Sequence, residues 1–375
     1  MKLAVIGGNA GSGGYHRYMN GIFGRGNVPS SIDVKLFCTP ALADKLTDID
    51  DCVDVRARQE FRQKALSFCF RPLSAACIAE VDAFEPNVVF FSNGFIQKGL
   101  DAYPAVVTFH NQLMLDMKTV LRNRLSRMTI LWLLLAIKQR KTFKKAAGVI
   151  FLSPHSRKAA LAKVPGIKKS VVIPHGLDEN IRAAKPATKA FNNLVRIVYI
   201  STLFTYKHQI EVARAVCQLR QRTGKPVVLS LVGGGDSRYL ARVKSEIGRL
   251  RAEEFVELLG DKPHGELPGM IDAADIFLYA SSCETFGITL LEGMGRGAVI
   301  ASSNLTGLPD LLRDGGEYFD PREPDSICAA LERLIASPDL REQCASRAYE
   351  YSKEFTWARS ADSTFKFIQE IAGNV

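Results

Sequence analysis

Two glutamates with seven residues between them, Glu284 and Glu292, sit in the densest run of chemistry-bearing residues in the 375-residue chain. The run reads Ala280-Ser281-Ser282-Cys283-Glu284-Thr285-Phe286-Gly287-Ile288-Thr289-Leu290-Leu291-Glu292-Gly293-Met294. An apolar stretch at 276–279 predicts a strand that ends near Ala280. A loop of small residues then carries Glu284, and a helix is expected to begin near Gly287. The N–H groups of residues 286–289, those of Phe286, Gly287 and Ile288 among them, would lie at that helix start. Amides without intrahelical partners and the helix dipole make such a place suited to a pyrophosphate. On a helix, Gly287 to Glu292 would span ~7–8 Å along the axis. Carboxylates accept hydrogen bonds from hydroxyl pairs, so one Glu can hold a sugar and the other a ribose. The alternative is a pair of solvated surface carboxylates.

A second loop, Gly7-Gly8-Asn9-Ala10-Gly11-Ser12-Gly13-Gly14, follows a strand and opens a helix. It fits a dinucleotide fingerprint poorly, because His16 stands where a small residue is needed for helix–strand packing. Gly13 and Gly14 instead fit close approach of a polar ligand to bare backbone. A third feature spans 118–145. It holds nine Lys or Arg and no Asp or Glu, around the apolar block Met128-Thr129-Ile130-Leu131-Trp132-Leu133-Leu134-Leu135-Ala136-Ile137. Such a block cannot span a bilayer but can lie in its interface. Basic side chains beside an anionic leaflet contribute about 1 kcal/mol each. Arg127, Trp132, Lys138, Arg140, Lys141, Lys144 and Lys145 are the expected membrane-facing residues, the alternative being a core helix with solvated ends.

The elements that must position these loops are legible as short apolar runs between amphipathic stretches. Runs at 2–6, 34–37, 88–91, 105–109, 149–152 and 171–173 predict parallel strands buried on both faces. A polar segment at 179–193 reads as a linker. Runs at 196–200, 227–232, 256–259, 276–279 and 298–301 predict a second series. The expected architecture is therefore α/β, with two Rossmann-like doubly wound domains, 1–178 and 194–356, facing a central cleft. A last amphipathic helix at 357–375 is free to pack back on the first domain. Ligands of such sheets bind beyond the carboxyl ends of the strands.

Composition bounds the function. Hydrophobic residues make up 47% and charged residues 23%, which excludes a disordered chain, and no apolar run reaches membrane-spanning length. The net charge of +10 is uneven: residues 1–178 hold 25 basic and 13 acidic side chains, and the remainder 24 and 26. A strongly basic first half points to an anionic partner, a membrane surface or a nucleic acid. The eight cysteines show no paired or metal-like spacing. The first apolar run is too short for a secretory signal core, so a cytoplasmic location is expected.

The E-T-F-G-I-T-L-L-E-G-M run resembles the E-x7-E signature of retaining GT-B glycosyltransferases, specifically the large family 4. Other segments resemble that family in order and spacing. They are Gly13-Gly14, Val172-Ile173-Pro174-His175-Gly176-Leu177-Asp178 (His where Asn is usual), Leu231-Val232-Gly233-Gly234-Gly235, and 302–310. The resemblance implies that Glu284 contacts the donor sugar, that Glu292 holds the nucleotide ribose, and that amides near Phe286 and Gly287 hold sugar or phosphate. It implies that Lys207, in Thr202-Leu203-Phe204-Thr205-Tyr206-Lys207-His208, neutralises the diphosphate, with Thr202 where an Arg partner is usual. Gly233 falls in the turn beneath the nucleotide. His110, in Thr108-Phe109-His110-Asn111, matches the family's cleft histidine near the scissile bond. The Y-K-H variant resembles a subset associated with bacterial surface-polysaccharide and lipopolysaccharide synthesis.

The expectation is a hexosyltransferase, with no cofactor beyond a GDP- or UDP-linked sugar donor. It would move a mannose-type hexose to a lipid-linked glycan, peripheral on the inner face of the cytoplasmic membrane. No metal is expected. Asp48-Ile49-Asp50 resembles the D-x-D metal signature of the other glycosyltransferase fold, but its polar context predicts a solvated loop. A sugar-nucleotide epimerase of the same fold and a nucleic-acid-binding protein are the alternatives. The second lacks basic patches interleaved with aromatics. Glu284 and Lys207 stand at loop ends, so replacing them is expected to change stability little.

Overall fold

Runs of Val, Ile, Leu and Phe with side chains buried on both faces become the strands of two parallel sheets. The computed structural model describes residues 1–7, 14–58, 73–116, 127–183, 191 and 193–373, without the side chains of 127–128. The chain divides into two compact units, Met1–Gly176 with Phe355–Val375, and Leu177–Glu354.

In the first unit the described strands are β1 (Lys2–Ile6), β2 (Asp33–Cys38), β3 (Val53–Ala57), β4 (Val88–Phe91), β5 (Ala105–Phe109), β6 (Gly148–Phe151) and β7 (Ser170–Val172). They lie in the order β3-β2-β1-β4-β5-β6-β7, with every neighbouring pair parallel. Val88, Val89, Phe90 and Phe91 are all fully buried. Each such side chain stabilises the unit by roughly 1.5–3 kcal/mol. One face packs Val107, Phe109, Phe143 and Phe151 into a core. The other receives Phe365, Phe367, Ile368 and Ile371 of the Trp357–Gly373 helix against Leu3, Val5 and Val106.

The second unit holds β8 (Val195–Ile200), β9 (Val227–Val232), β10 (Val256–Gly260), β11 (Ile276–Tyr279), β12 (Ile300–Ser303) and β13 (Glu317–Phe319). Their order is β10-β9-β8-β11-β12-β13, again all parallel. Strand order reverses between β1 and β4 in one unit and between β8 and β11 in the other. Crevices open at such switch points, at the carboxyl ends of the strands.

Several details differ from the sequence expectation. The strand expected at 298–301 runs from Ile300 to Ser303. The Ala298 N–H first closes the end of the preceding helix on the Gly293 carbonyl, so the chain joins the sheet later. The strands β3 and β13 were not anticipated. They lie at sheet edges and carry Asp54, Arg56 and Glu317, and one-sided burial leaves no continuous apolar run. In the segment read as a linker, Ile181 is buried, and the Ala183 N–H donates to Gly295 O at 3.0 Å. Arg182 Nη1 donates to Ser352 Oγ at 2.8 Å. Residues 184–190 and 192 lie outside the described residues.

Candidate functional site

The switch point of the second unit is built by two loops, one after β8 and one after β11. After β8 the chain forms a short 3-10 turn, Thr205–Lys207, and His208 at φ +55 redirects it into the Gln209–Thr223 helix. The Tyr199 hydroxyl donates to Lys207 O at 2.7 Å and pins the turn to its own strand. The loop after β11 is joined to it. Ser282 N–H donates to Tyr206 O at 2.9 Å, and His208 Nε2 shares a 2.8 Å hydrogen bond with Ser282 Oγ.

This joining brings Lys207 and Glu284 together. Lys207 is 7% exposed, and its ammonium donates to Glu284 Oε1 in a close ion pair. The Tyr279 hydroxyl, at the end of β11, donates to the same oxygen at 3.0 Å. Lys207 Nζ also lies 5.2 Å from the Tyr279 ring centre and 5.6 Å from that of Tyr206. Burial first, then the Glu284 charge, raise the Tyr279 and Tyr206 hydroxyls well above the usual phenol value, so both stay protonated donors. The result is an ammonium, a carboxylate and phenols preset at one point.

Beyond Glu284 the chain turns through Gly287 at φ +101 into the Ile288–Gly295 helix. A Cβ at 287 would stand 2.7 Å from Leu308 Cδ2, so both conformation and space call for glycine. That helix start has no side-chain cap, which leaves its first amides without a competing acceptor from the cap residue. Phe286 is buried beneath it. Glu292, on the same helix, is 2% exposed and accepts from His264 Nε2 at 2.9 Å. His264 begins the short turn after β10.

Gly233 follows β9 at φ +130, where a Cβ would meet Ser201 O at 2.2 Å. The glycine turn thus runs hard against the loop after β8, and Leu203 N–H donates to Gly234 O at 2.7 Å. Thr202 brings no cation to the site. Its carbonyl accepts from Gln209 Nε2 at 3.1 Å, and the residue helps to hold the loop.

In the first unit His110 follows β5. Its Nε2–H donates to Ser92 O at 2.9 Å, and a carbonyl only accepts, so the neutral ring carries its acceptor at Nδ1. His175 stacks on it, with ring centres 5.8 Å apart and planes 17° apart. Tyr18 meets both rings edge-on, and Trp357 meets His175. Burial lowers His110 to about 4, the Ser92 carbonyl opposing, and burial, with repulsion from Arg17 and from His110 once that ring is protonated, holds His175 well below its usual value. Both are neutral at neutral pH. Gly14 lies at the start of the Tyr15–Phe23 helix, and its carbonyl accepts from Tyr18 N–H at 2.9 Å. Gly13 lies outside the described residues.

The basic segment gives the Arg127–Lys145 helix. Its phase corrects one expectation. Trp132 packs against the first unit's core with Leu131, beside buried Leu135, Gln139 and Phe143. Ile130, Leu134 and Ile137, at i, i+4 and i+7, are the exposed apolar residues, at 54%, 46% and 52%. At 100° per residue, Trp132 lies nearly opposite that stripe. Lys141, Lys144, Lys145 and Arg140 are exposed and Lys138 is half-buried. The Arg127 side chain, with residues 117–126, lies outside the described residues. No described helix is long and apolar enough to cross a membrane. Asp48 pairs with Arg25 at 3.2 Å, and Asp50 accepts from Gly26 N–H at 2.8 Å.

Sequence reasoning missed Tyr199 and Tyr279, quoted His208 and Ser282 only as parts of motifs, and gave His264 no role. Tyr279 had a usable signal, since it ends an apolar strand next to the carboxylate loop. His264 had none, because only the fold sets it against Glu292.

The chain is similar to known proteins in sequence and in fold. Residues 180–351 match the family described as Glycosyl transferases group 1. The O-antigen chain mannosyltransferase B of Escherichia coli is 29% identical over 169 residues, 44% of this chain and 44% of that protein. The D-inositol 3-phosphate glycosyltransferase of Corynebacterium jeikeium is 29% identical over 182 residues, 47% of this chain and 43% of that protein. The chain thus spans under half the length of these relatives. The crystal structure of Anabaena Alr3699/HepE in complex with UDP and glucose superposes with a TM-score of 0.71 at 20% identity, over 98% of this chain and 99% of that one. The fold is that of GT-B glycosyltransferases, two Rossmann-like α/β units with parallel sheets. The matched residues 180–351 lie in the second unit, and the Lys207–Glu284 pair and Glu292 fall inside that stretch.

Proposed function

We propose that the protein is a retaining hexosyltransferase of family 4 that moves a sugar from a nucleoside-diphosphate donor to a lipid-linked glycan. The observation that carries this reading is the Lys207–Glu284–Tyr279 cluster beside an uncapped helix start, at the switch point of the group 1 segment. In this reading the donor's diphosphate takes the Lys207 ammonium and the amides near Phe286, Gly287 and Ile288. Displacing Lys207 leaves the Glu284 carboxylate to accept hydrogen bonds from sugar hydroxyls. Glu292, oriented by His264, accepts from the ribose. The acceptor hydroxyl bonds to the anomeric carbon on the face the diphosphate leaves. The carbon–oxygen bond to the phosphate breaks, and the leaving phosphate takes the acceptor proton. Positive charge supplied by Lys207 and the helix start is the term a divalent metal would otherwise provide.

A mannose-type donor carried by GDP or UDP is supported by the relative that is an O-antigen chain mannosyltransferase and by the neighbour that holds UDP and glucose. The acceptor and location are supported by the exposed Ile130–Leu134–Ile137 stripe among lysines, which fits peripheral contact with the inner face of the cytoplasmic membrane. A thermal-shift screen of UDP, GDP, CDP and ADP tests the donor site, since a ligand of the native state raises its melting point. Transfer assays with and without EDTA test the rest. No stabilisation by any diphosphate would remove the donor reading, and activity lost in EDTA and restored by manganese would remove the metal-independent mechanism.

A further inference from the structure

A pocket of about 460 Å³ opens on the side of the first unit, between residues 96–101 and the Arg127–Lys145 helix. Its size is within the ~300–1,000 Å³ of small-molecule sites. Charge and burial both single it out. Among the described residues Lys98, Lys138, Lys141 and Lys145 line it, against one carboxylate, Asp101, which pairs with Lys145. Gln97 also lines it. Its side chain is 0% exposed, and neither its amide oxygen nor its amide nitrogen has a hydrogen-bond partner among the described residues. A buried amide left unpaired on both sides is a standing cost that a leucine of the same size would avoid.

An occupant that draws the Gln97 amide into the cavity gives it the partner it lacks among the described residues. Among the described lining residues ammonium groups outnumber carboxylates, which suits an anion better than a metal ion. The remaining wall is apolar. Leu134 and Ile137 line the pocket and continue into exposed Ile130 along the same helix face. Anion and apolar chain together describe an amphiphile.

We propose that this pocket seats the phosphate headgroup of one anionic lipid, with Gln97 and the lysines as its ligands and the lipid chain along Ile137, Leu134 and Ile130. The inference rests on the membrane-surface reading of the same helix and adds a discrete, saturable site to it. A free phosphate would meet the lysines but leave the apolar stripe uncovered. A phosphopeptide would do the same unless it carried a matching apolar segment.

The test is calorimetric titration of the full chain with dihexanoyl phosphatidic acid, below its micelle threshold. Inorganic phosphate, dihexanoyl phosphatidylcholine and a phosphoserine peptide are the comparison arms. Saturable binding is expected for the phosphatidic acid, and markedly weaker binding for the other three. Gln97→Leu should weaken it about tenfold, the loss of a hydrogen bond to a charged group. Lys98→Gln, at an exposed position, should act in the same direction without touching the fold. Arg140→Gln, on the same helix but outside the pocket, should leave the affinity unchanged. Equal affinity for inorganic phosphate or the peptide, wild-type binding by Gln97→Leu, or an Arg140→Gln loss as large as that of Lys98→Gln would each overturn the proposal. Sedimentation with phosphatidylcholine vesicles, with and without phosphatidic acid, separates the two readings. Vesicle binding without short-chain lipid binding retains the membrane surface and removes the pocket, and absence of both removes both.

Discussion

Replacing Lys207 should damage the fold of the second unit as well as the chemistry, and the buried ion pair sets by how much. Lys207 and Glu284 side chains are 9% and 15% exposed, so neither charge is well solvated. At an effective dielectric near 20, two unit charges in contact attract by about 4 kcal/mol. Much of that offsets their desolvation, so the pair contributes little net stability while intact. Removing one member is different, because the other charge stays buried. For a fully buried pair that costs about 3–5 kcal/mol. Here the Tyr279 hydroxyl still donates to Glu284, which places Lys207→Met near 2–3 kcal/mol by the same rule. For a unit of this size that is a fall in melting temperature of roughly 4–12 °C. Glu284→Gln strands the ammonium and should cost a similar amount. The double variant should recover most of the loss, because neither charge is then left alone. The assay is a double-mutant cycle by urea unfolding, with turnover measured in parallel. Loss of a charge-assisted bond to substrate costs about 1.5–3 kcal/mol, roughly 10- to 150-fold in rate. Single variants as stable as the parent, or strictly additive losses, would refute the pair. Both would restore the expectation from sequence that these are loop ends of no structural consequence.

Three further outcomes follow from the same geometry. His110 is held near 4 in the fold against ~6.5 unfolded, so stability is full above about pH 6.5 and falls as pH drops towards 4, where the unfolded chain takes up the proton first. A urea midpoint measured against pH should therefore slope less in His110→Gln, and an identical slope counts against the buried neutral ring. His264→Ala should weaken nucleoside-diphosphate binding by about three- to tenfold, through a freer Glu292 carboxylate. Equal affinity by calorimetry would make that contact incidental. Leu134→Gln with Ile137→Gln should lower sedimentation with anionic vesicles and make the remainder more salt-sensitive. Unchanged sedimentation would detach the exposed stripe from the membrane.

How much was legible in advance differs from element to element. The strands β1, β4, β5, β8, β9 and β11 could be read from runs such as Val88-Val89-Phe90-Phe91, because burial on both faces writes a continuous apolar segment into the chain. The loop holding Glu284, and the helix that starts after Gly287, could be read for the same local reason, since glycine and small residues mark where a strand must turn. The edge strands β3 and β13 could not, because one-sided burial and charged side chains erase that run. The Arg127–Lys145 helix shows the limit more sharply. Its composition told of an apolar block between basic flanks, but not which way the block faced. Packing against the first core turned Trp132 inward and left Ile130, Leu134 and Ile137 outside.

The pairings belong to the same second class. Lys207 and Glu284 are 77 residues apart, and His264 and Glu292 are 28 apart. His110 and His175 come from different loops of their unit. The chain by itself determined the residue types, their order and the loops that carry them, because each depends on interactions within a few residues. Only the tertiary structure decided that the β8 and β11 loops share a switch point, where an ammonium, a carboxylate and a phenol meet. Strand order is a long-range property, selected by how whole sheets bury their faces, and no local pattern encodes it.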